Sequence, residues 1–151
     1  MEDVIMAKLG LENATASALF HCQQICEKAM KACLCLVGIF VAEEHNTVLL
    51  FANHVLPLTT EPQKEQLVAL MPDVQGIEWF YIPSRYGVDR YGRVWVREYS
   101  VDTAKATLDT SKKWLELCFL FVEHKTQIPF PRKRVELLSL LRKEYAEVVR
   151  E

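Results

Sequence analysis

The segment from Ala14 to Val41 constrains this chain more than any other, because wound at the helical period it is apolar on nearly every side. Only His21, Gln24, Lys28 and Lys31, spaced +3, +4 and +3, form a polar stripe along it. A helix with so little polar surface must run through the centre of a bundle, and the stripe is the part expected to meet solvent or a partner. Its longest apolar run, Ala32 to Ala42, is too short to span a bilayer and follows Lys28 and Lys31, so it reads as a buried helix end.

The remaining segments supply helices to cover this one. Glu2 to about Leu11 reads as a short amphipathic helix with Val4, Ile5, Leu9 and Leu11 as apolar contacts, and Asn13 marks the break after it. Asn46 is placed to cap a helix from about Thr47 to Leu56, with Pro57 as its stop. Glu61 and Pro62 open another that carries Leu67, Leu70 and Met71 and is expected to end near Pro72. Asp102 is expected to cap a long helix to about His124, whose Ala104, Leu108, Leu115, Cys118 and Val122 should pack along the 14–41 helix.

Residues 72–101 break the pattern. They hold three of the five glycines, Gly76, Gly87 and Gly92, and a run of aromatics from Trp79 to Tyr99. Arg85, Arg90, Arg93 and Arg97 make this the most arginine-rich stretch, expected to be an ordered loop in which Val94–Val96 is extended. After Ile128-Pro129-Phe130-Pro131, an extended connector, a last helix carries Leu138, Leu141, Tyr145 and Val148 on one side. The reading is all-α, with a bundle over residues 1–125 and a connector and amphipathic helix over 126–151.

With 151 residues, half of them hydrophobic, one domain can bury a core without help from metal or disulfides. The net charge of -2 gives no global field toward nucleic acid or an acidic membrane, so any basic site must be local. Four of the five cysteines, Cys22, Cys26, Cys33 and Cys35, lie among Leu, Val and Ile without paired metal-ligand spacing. They read as small hydrophobes in a reducing, cytoplasmic setting, and no metal or cofactor is assigned. The acidic start MEDVIMAKLG lacks the basic region of an export signal, and no membrane association is expected.

Three ordered pieces, FHCQQICEKAMKACL (20–34), EEHNTVLLF (43–51), and YIPSRYGVDRYG (81–92) with REYSVDTAKATLDTSKKWLEL (97–117), resemble the HEPN family (higher eukaryotes and prokaryotes nucleotide-binding). The resemblance spans roughly residues 2 to 125. It implies a four- or five-helix up-and-down bundle, commonly a homodimer. It also implies one of two activities. Some members are metal-independent ribonucleases, often toxins, that use an Arg and a His four to six residues apart; others lack that pair and serve as nucleotide-binding or partner subunits of small nucleotidyltransferases.

The ribonuclease chemistry needs an imidazole to move a proton and a guanidinium to hold the phosphate. No arginine occurs before Arg85, and none stands at that distance ahead of His21, His45, His54 or His124. The family's nuclease motif is absent, and so are P-loop, dinucleotide, nucleophile-elbow and metalloprotease motifs. No catalytic residue is assigned. The candidate nucleotide site comprises His21, Gln24, Lys28 and Lys31, with His45 facing the stripe and Arg85 and Tyr86 offering a phosphate contact and a stacking surface. The plain alternative for the stripe is a solvated face in which Glu27 pairs with Lys31. At the level of function, the alternatives to a non-catalytic nucleotide-binding or nucleotidyltransferase-partner subunit are a ribonuclease toxin whose site combines Arg85 with His21 or His45, and a structural dimerisation module.

Overall fold

A computed structural model describes residues 2–41, 47–81, 91, 99–133, 135–136 and 138–139. Among these residues there are five α-helices and no strand: α1 (Glu2–Gly10), α2 (Thr15–Leu36), α3 (Thr47–His54), α4 (Gln63–Glu78) and α5 (Val101–Thr126). α3 stops at His54, short of the expected Leu56, and Pro57 lies within the 3-10 turn Leu56–Leu58 that follows. The all-helical bundle expected from the sequence is present.

The centre of the molecule is the pairing of α2 with α5. Ala18 and Leu19 pack with Ala104, Cys22 and Ile25 with Leu108, and the Cys33 thiol donates to the Cys118 carbonyl at 3.7 Å. Residue numbers rise together along both helices, so the two run parallel. α4 runs opposite to them: the Gln63 amide at its start donates to the Leu117 carbonyl at 2.7 Å, while Phe80 just past its end reaches the Ala18 cluster. Trp114, Phe51, Phe121, Met30, Leu34 and Leu67 fill the space between, with the Trp114 and Phe51 rings 5.1 Å apart. Large side chains buried this fully supply the main driving force for folding.

α1 lies on the lower half of α2 because both present small residues at the contact. Ala7 and Gly10 are buried, and a Cβ placed on Gly10 would stand 3.1 Å from the Ala18 backbone nitrogen.

Several expected boundaries shift. α2 stops at Leu36 rather than Val41, because Gly38 takes φ 84°. The Gly38 N–H then bonds the Cys35 carbonyl at 3.0 Å and the Ile39 N–H the Leu34 carbonyl at 2.9 Å, a Schellman stop. The run from Ala32 to Ala42 is therefore not one buried helix end: Cys33 and Leu34 are buried, but Phe40 is 83% exposed.

α4 does not end at Pro72 but continues through it to Glu78. A proline there removes the bond to the Val68 carbonyl. Pro72 and Val68 are both exposed, so water can serve that carbonyl, while Leu67, Val74 and Ile77 hold the helix to the core on both sides of the proline. The expected loop thus loses residues 72–78 to α4; the extended piece at Val94–Val96 and the arginines 85, 90, 93 and 97 lie outside the described residues.

The cap of α5 is Ser100, whose Oγ accepts from the Thr103 N–H at 3.0 Å, and Asp102 sits in the first turn instead. The cap of α3 comes from another helix, as described below; Asn46 lies outside the described residues.

The connector after α5 folds back along it. Phe130 stacks on Phe119 at 4.8 Å, and the Arg132 guanidinium lies 4.7 Å over Phe119 while bridging Glu116 and Glu123, each at 2.8 Å. Arg132 holds Glu123 below the usual carboxylate range, chiefly by these hydrogen bonds. Residues 135, 136, 138 and 139 are helical, with Val135 and Leu138 exposed; Leu141, Tyr145 and Val148 lie outside the described residues.

Candidate functional site

The polar stripe of α2 divides into two groups, each tied to a carboxylate. The first centres on Asp3 of α1. Its Oδ1 lies 2.9 Å from His21 Nδ1 and its Oδ2 2.6 Å from Lys28 Nζ. His21 and Lys28 are two turns apart on α2, so it is Asp3 that draws their ends together. Burial pushes the Asp3 carboxyl up, but the hydrogen bonds and charges of Lys28 and His21 outweigh it and hold Asp3 below its ordinary value. The three side chains differ in access: Asp3 and His21 are mostly covered, whereas Lys28 is 63% exposed.

The second group runs along α2 itself. Gln24 donates its amide to Gln23 Oε1 at 2.7 Å, Gln23 donates to Glu27, and Lys31 Nζ lies 2.8 Å from Glu27 Oε1. Gln23 and Glu27 are buried, so this chain of bonds satisfies polar groups that would otherwise cost folding free energy. The i, i+4 pair of Glu27 with Lys31 is formed, which commits Lys31 within its own helix.

Next to it, Glu78 at the end of α4 caps α3. Its Oε1 accepts the Thr47 hydroxyl at 2.8 Å and the Val48 N–H at 3.0 Å. Burial pushes the Glu78 carboxyl above its ordinary value; those hydrogen bonds oppose the shift and the neighbouring Glu27 charge adds to it.

An aromatic cluster completes this end of the bundle. Phe20 contacts His21 edge-on at 5.4 Å and reaches Tyr81 at 6.3 Å, and Phe80 meets Tyr99 at 5.5 Å. Phe80 and Tyr99 both pack on the Ala18 and Leu19 cluster, one turn from His21. Phe80, Tyr81 and Tyr99 therefore lie near the His21 end of α2. His45, Arg85 and Tyr86 themselves lie outside the described residues.

The structure therefore brings together His21 and Lys28, places Gln24 between them, and turns Lys31 to Glu27. Asp3, Gln23 and Glu78 were missing from the sequence-based site. A carboxylate on α1 meeting α2 leaves no trace in local spacing; Glu27 alone had one, its i, i+4 distance from Lys31.

Cys22, Cys26 and Cys118 offer no activated thiolate, because burial pushes each thiol up. All five cysteines are free, and burial pushes Cys22 up to about 11 and Cys26 up to about 12. Among the described residues no group of three or more His, Cys, Asp or Glu is placed to hold a metal ion. Nor, among them, is any helix long and apolar enough to cross a membrane.

An all-helical bundle of this kind is consistent with the comparison to known proteins. The HEPN domain model matches residues 2–119, and the chain belongs to the HEPN domain family. It is 31% identical over 128 residues to a protein of Methanocaldococcus jannaschii named "Putative toxin MJ1304", a match covering 82% of this chain and 84% of the relative. No solved structure matches.

Proposed function

We propose that this chain is a nucleotide-binding HEPN subunit of a toxin–antitoxin-like pair that works by binding rather than by cutting RNA, with a small nucleotidyltransferase as its protein partner. The observation that carries this reading is the Asp3 bridge, which holds an imidazole and an exposed ammonium together at one edge of the bundle. An ammonium so placed meets a phosphate, and the Gln24 side chain and the His21 ring edge supply polar contacts beside it. The relative's name supports the toxin-like setting. The missing Arg and His spacing argues against the family's ribonuclease chemistry.

The same reading includes a homodimer. Ile5, Met6 and Leu9 stand about half or more exposed on the outer side of α1 at helical spacing, an apolar edge suited to a protein contact. Incubation of the purified protein with RNA, with and without magnesium, tests the non-catalytic claim. No cleavage is expected; specific cleavage lost on His21→Ala would overturn it in favour of a ribonuclease built from residues distant in sequence.

A further inference from the structure

The connector after α5 is held by a more complete recognition surface than a loop requires. Glu116, Phe119 and Glu123 are spaced +3 and +4 and so share one face of α5. Onto that face the chain lays Phe130-Pro131-Arg132. The Phe130 ring stacks on Phe119 at 4.8 Å, and its N–H donates to Glu123 Oε1 at 2.6 Å. Arg132 commits all five of its N–H donors. Nε and one Nη2 hydrogen go to Glu116, Nη1 and Nη2 each give one to Glu123, and the remaining Nη1 hydrogen goes to the Phe130 carbonyl at 2.6 Å. The guanidinium also lies 4.7 Å over the Phe119 ring. A forked and stacked arrangement holds more strongly than a lone exposed ion pair.

Site and occupant are separable. Among the described residues, the hydrogen bonds, ion pairs and ring contacts of Phe130 and Arg132 all go to α5 or stay within the segment. The segment is also preset, since Pro129 and Pro131 favour extended backbone at Ile128 and Phe130 and little freedom is lost when it binds. What ties it to its own helix is the reversal at Gln127, whose φ of 58° lies in the left-handed region that costs an L residue. Just past the latch, Val135 and Leu138 are 78% and 42% exposed on their own bundle. Reciprocal exchange between two chains keeps every bond of the latch, relieves Gln127 in both, and offers those apolar side chains a second surface. We propose that the Glu116, Phe119 and Glu123 face of α5 is a recognition site for an extended Phe-X-Arg segment, and that its occupant in the assembled protein is the 130–132 segment of a second copy. Neither nucleotide binding nor a contact through α1 is required for this exchange.

Two measurements on the full chain test this. Arg132→Glu sets a like charge against Glu116 and Glu123, which opens the site and leaves its own residues intact. A labelled peptide of residues 127–136, followed by fluorescence anisotropy, is expected to bind Arg132→Glu at least about tenfold tighter than wild type, whose site is already filled. The same peptide carrying Arg132→Glu should not bind. If the natural peptide fails to bind a variant whose circular dichroism is still helical, no recognition site exists and the proposal falls. The second measurement mixes chains of reversed charge. Arg132→Glu and the double variant Glu116→Arg with Glu123→Arg each repel their own segment and attract the other's, so native mass spectrometry should find mixed pairs at least about tenfold in excess of like pairs. A dimer held through another surface would pair the two variants at random. Random pairing, or no pairing, shows that each segment stays on its own chain and refutes the exchange. Should the double variant fail to fold, Glu123→Arg alone, mixed with Arg132→Glu, gives the same reading.

Discussion

Glu78, the last residue of α4, accepts the Val48 N–H at 3.0 Å and so caps α3 from a different helix. The N-terminus of a helix leaves its first N–H groups without partners, and a carboxylate there also meets the positive end of the helix dipole. Glu78→Ala is expected to lower stability by about 1–2 kcal/mol, the usual effect of losing a cap, as read by urea denaturation. Glu78→Gln keeps an acceptor and removes a charge next to Glu27, so it should cost much less. Because the Glu78 carboxyl is held above its ordinary value, its titration favours the folded state at low pH and disfavours it as pH rises through the shifted value. The stability gap between wild type and Glu78→Gln should therefore move against the wild type as pH is raised out of the acid range.

Asp3 titrates with the opposite sign. Its carboxyl is held below the ordinary value, so it contributes stability above that value and loses it as pH falls through the lowered one. Asp3→Asn should be less stable than wild type near neutrality, and the two should converge in strong acid. Parallel curves across the whole range would mean that His21 and Lys28 do not hold the Asp3 charge.

These carboxylates mark the boundary of what the sequence discloses. The helices themselves are legible, since Ala14 to Leu36 and Val101 to Thr126 carry apolar residues at helical period and could pack only against one another. Their ends are less so. Gly38 stops α2 inside an unbroken apolar run, and Pro72 fails to stop α4 because the lost hydrogen bond falls on the wet side of a helix anchored in the core. The stripe is legible as a face, but its division between Asp3 and Glu27 is decided by how α1 docks, which no local pattern encodes. The caps show the same limit: the sequence points to Asp102, and the structure gives the cap of α5 to Ser100.

The close approach of α1 to α2 depends on Gly10. A Cβ there would sit 3.1 Å from the Ala18 backbone nitrogen and 3.3 Å from Ala18 Cβ, so one helix must move to admit a side chain. Gly10→Val is expected to destabilise the fold by about 1–3 kcal/mol in thermal melts, as overpacking does. By shifting α1 it should also separate Asp3 from His21 and Lys28, visible as a change in the His21 ring resonances. A melt and ring shifts matching wild type would show that α1 is not seated through Gly10.

The connector makes a comparable test for the tail. Phe130 on Phe119 and Arg132 between Glu116 and Glu123 fix the chain against α5. Truncation after Gln127, which preserves the end of α5, uncovers Phe119 and should lower the melting temperature. Under the homodimer reading it should also shift mass toward monomer in light scattering, because it removes Val135 and Leu138, two exposed apolar side chains. If melting and mass both stay unchanged, the tail instead belongs to a contact with another protein.

Titration of ATP into the isotope-labelled protein, followed by backbone and side-chain NMR shifts, shows whether the seam between α1 and α2 binds a nucleotide. Saturable shifts concentrated at Asp3, His21, Gln24 and Lys28 are expected, lost in Lys28→Ala while the fold is retained. Shifts that are absent, or that saturate only at residues remote from Asp3 and persist in Lys28→Ala, would contradict nucleotide binding there.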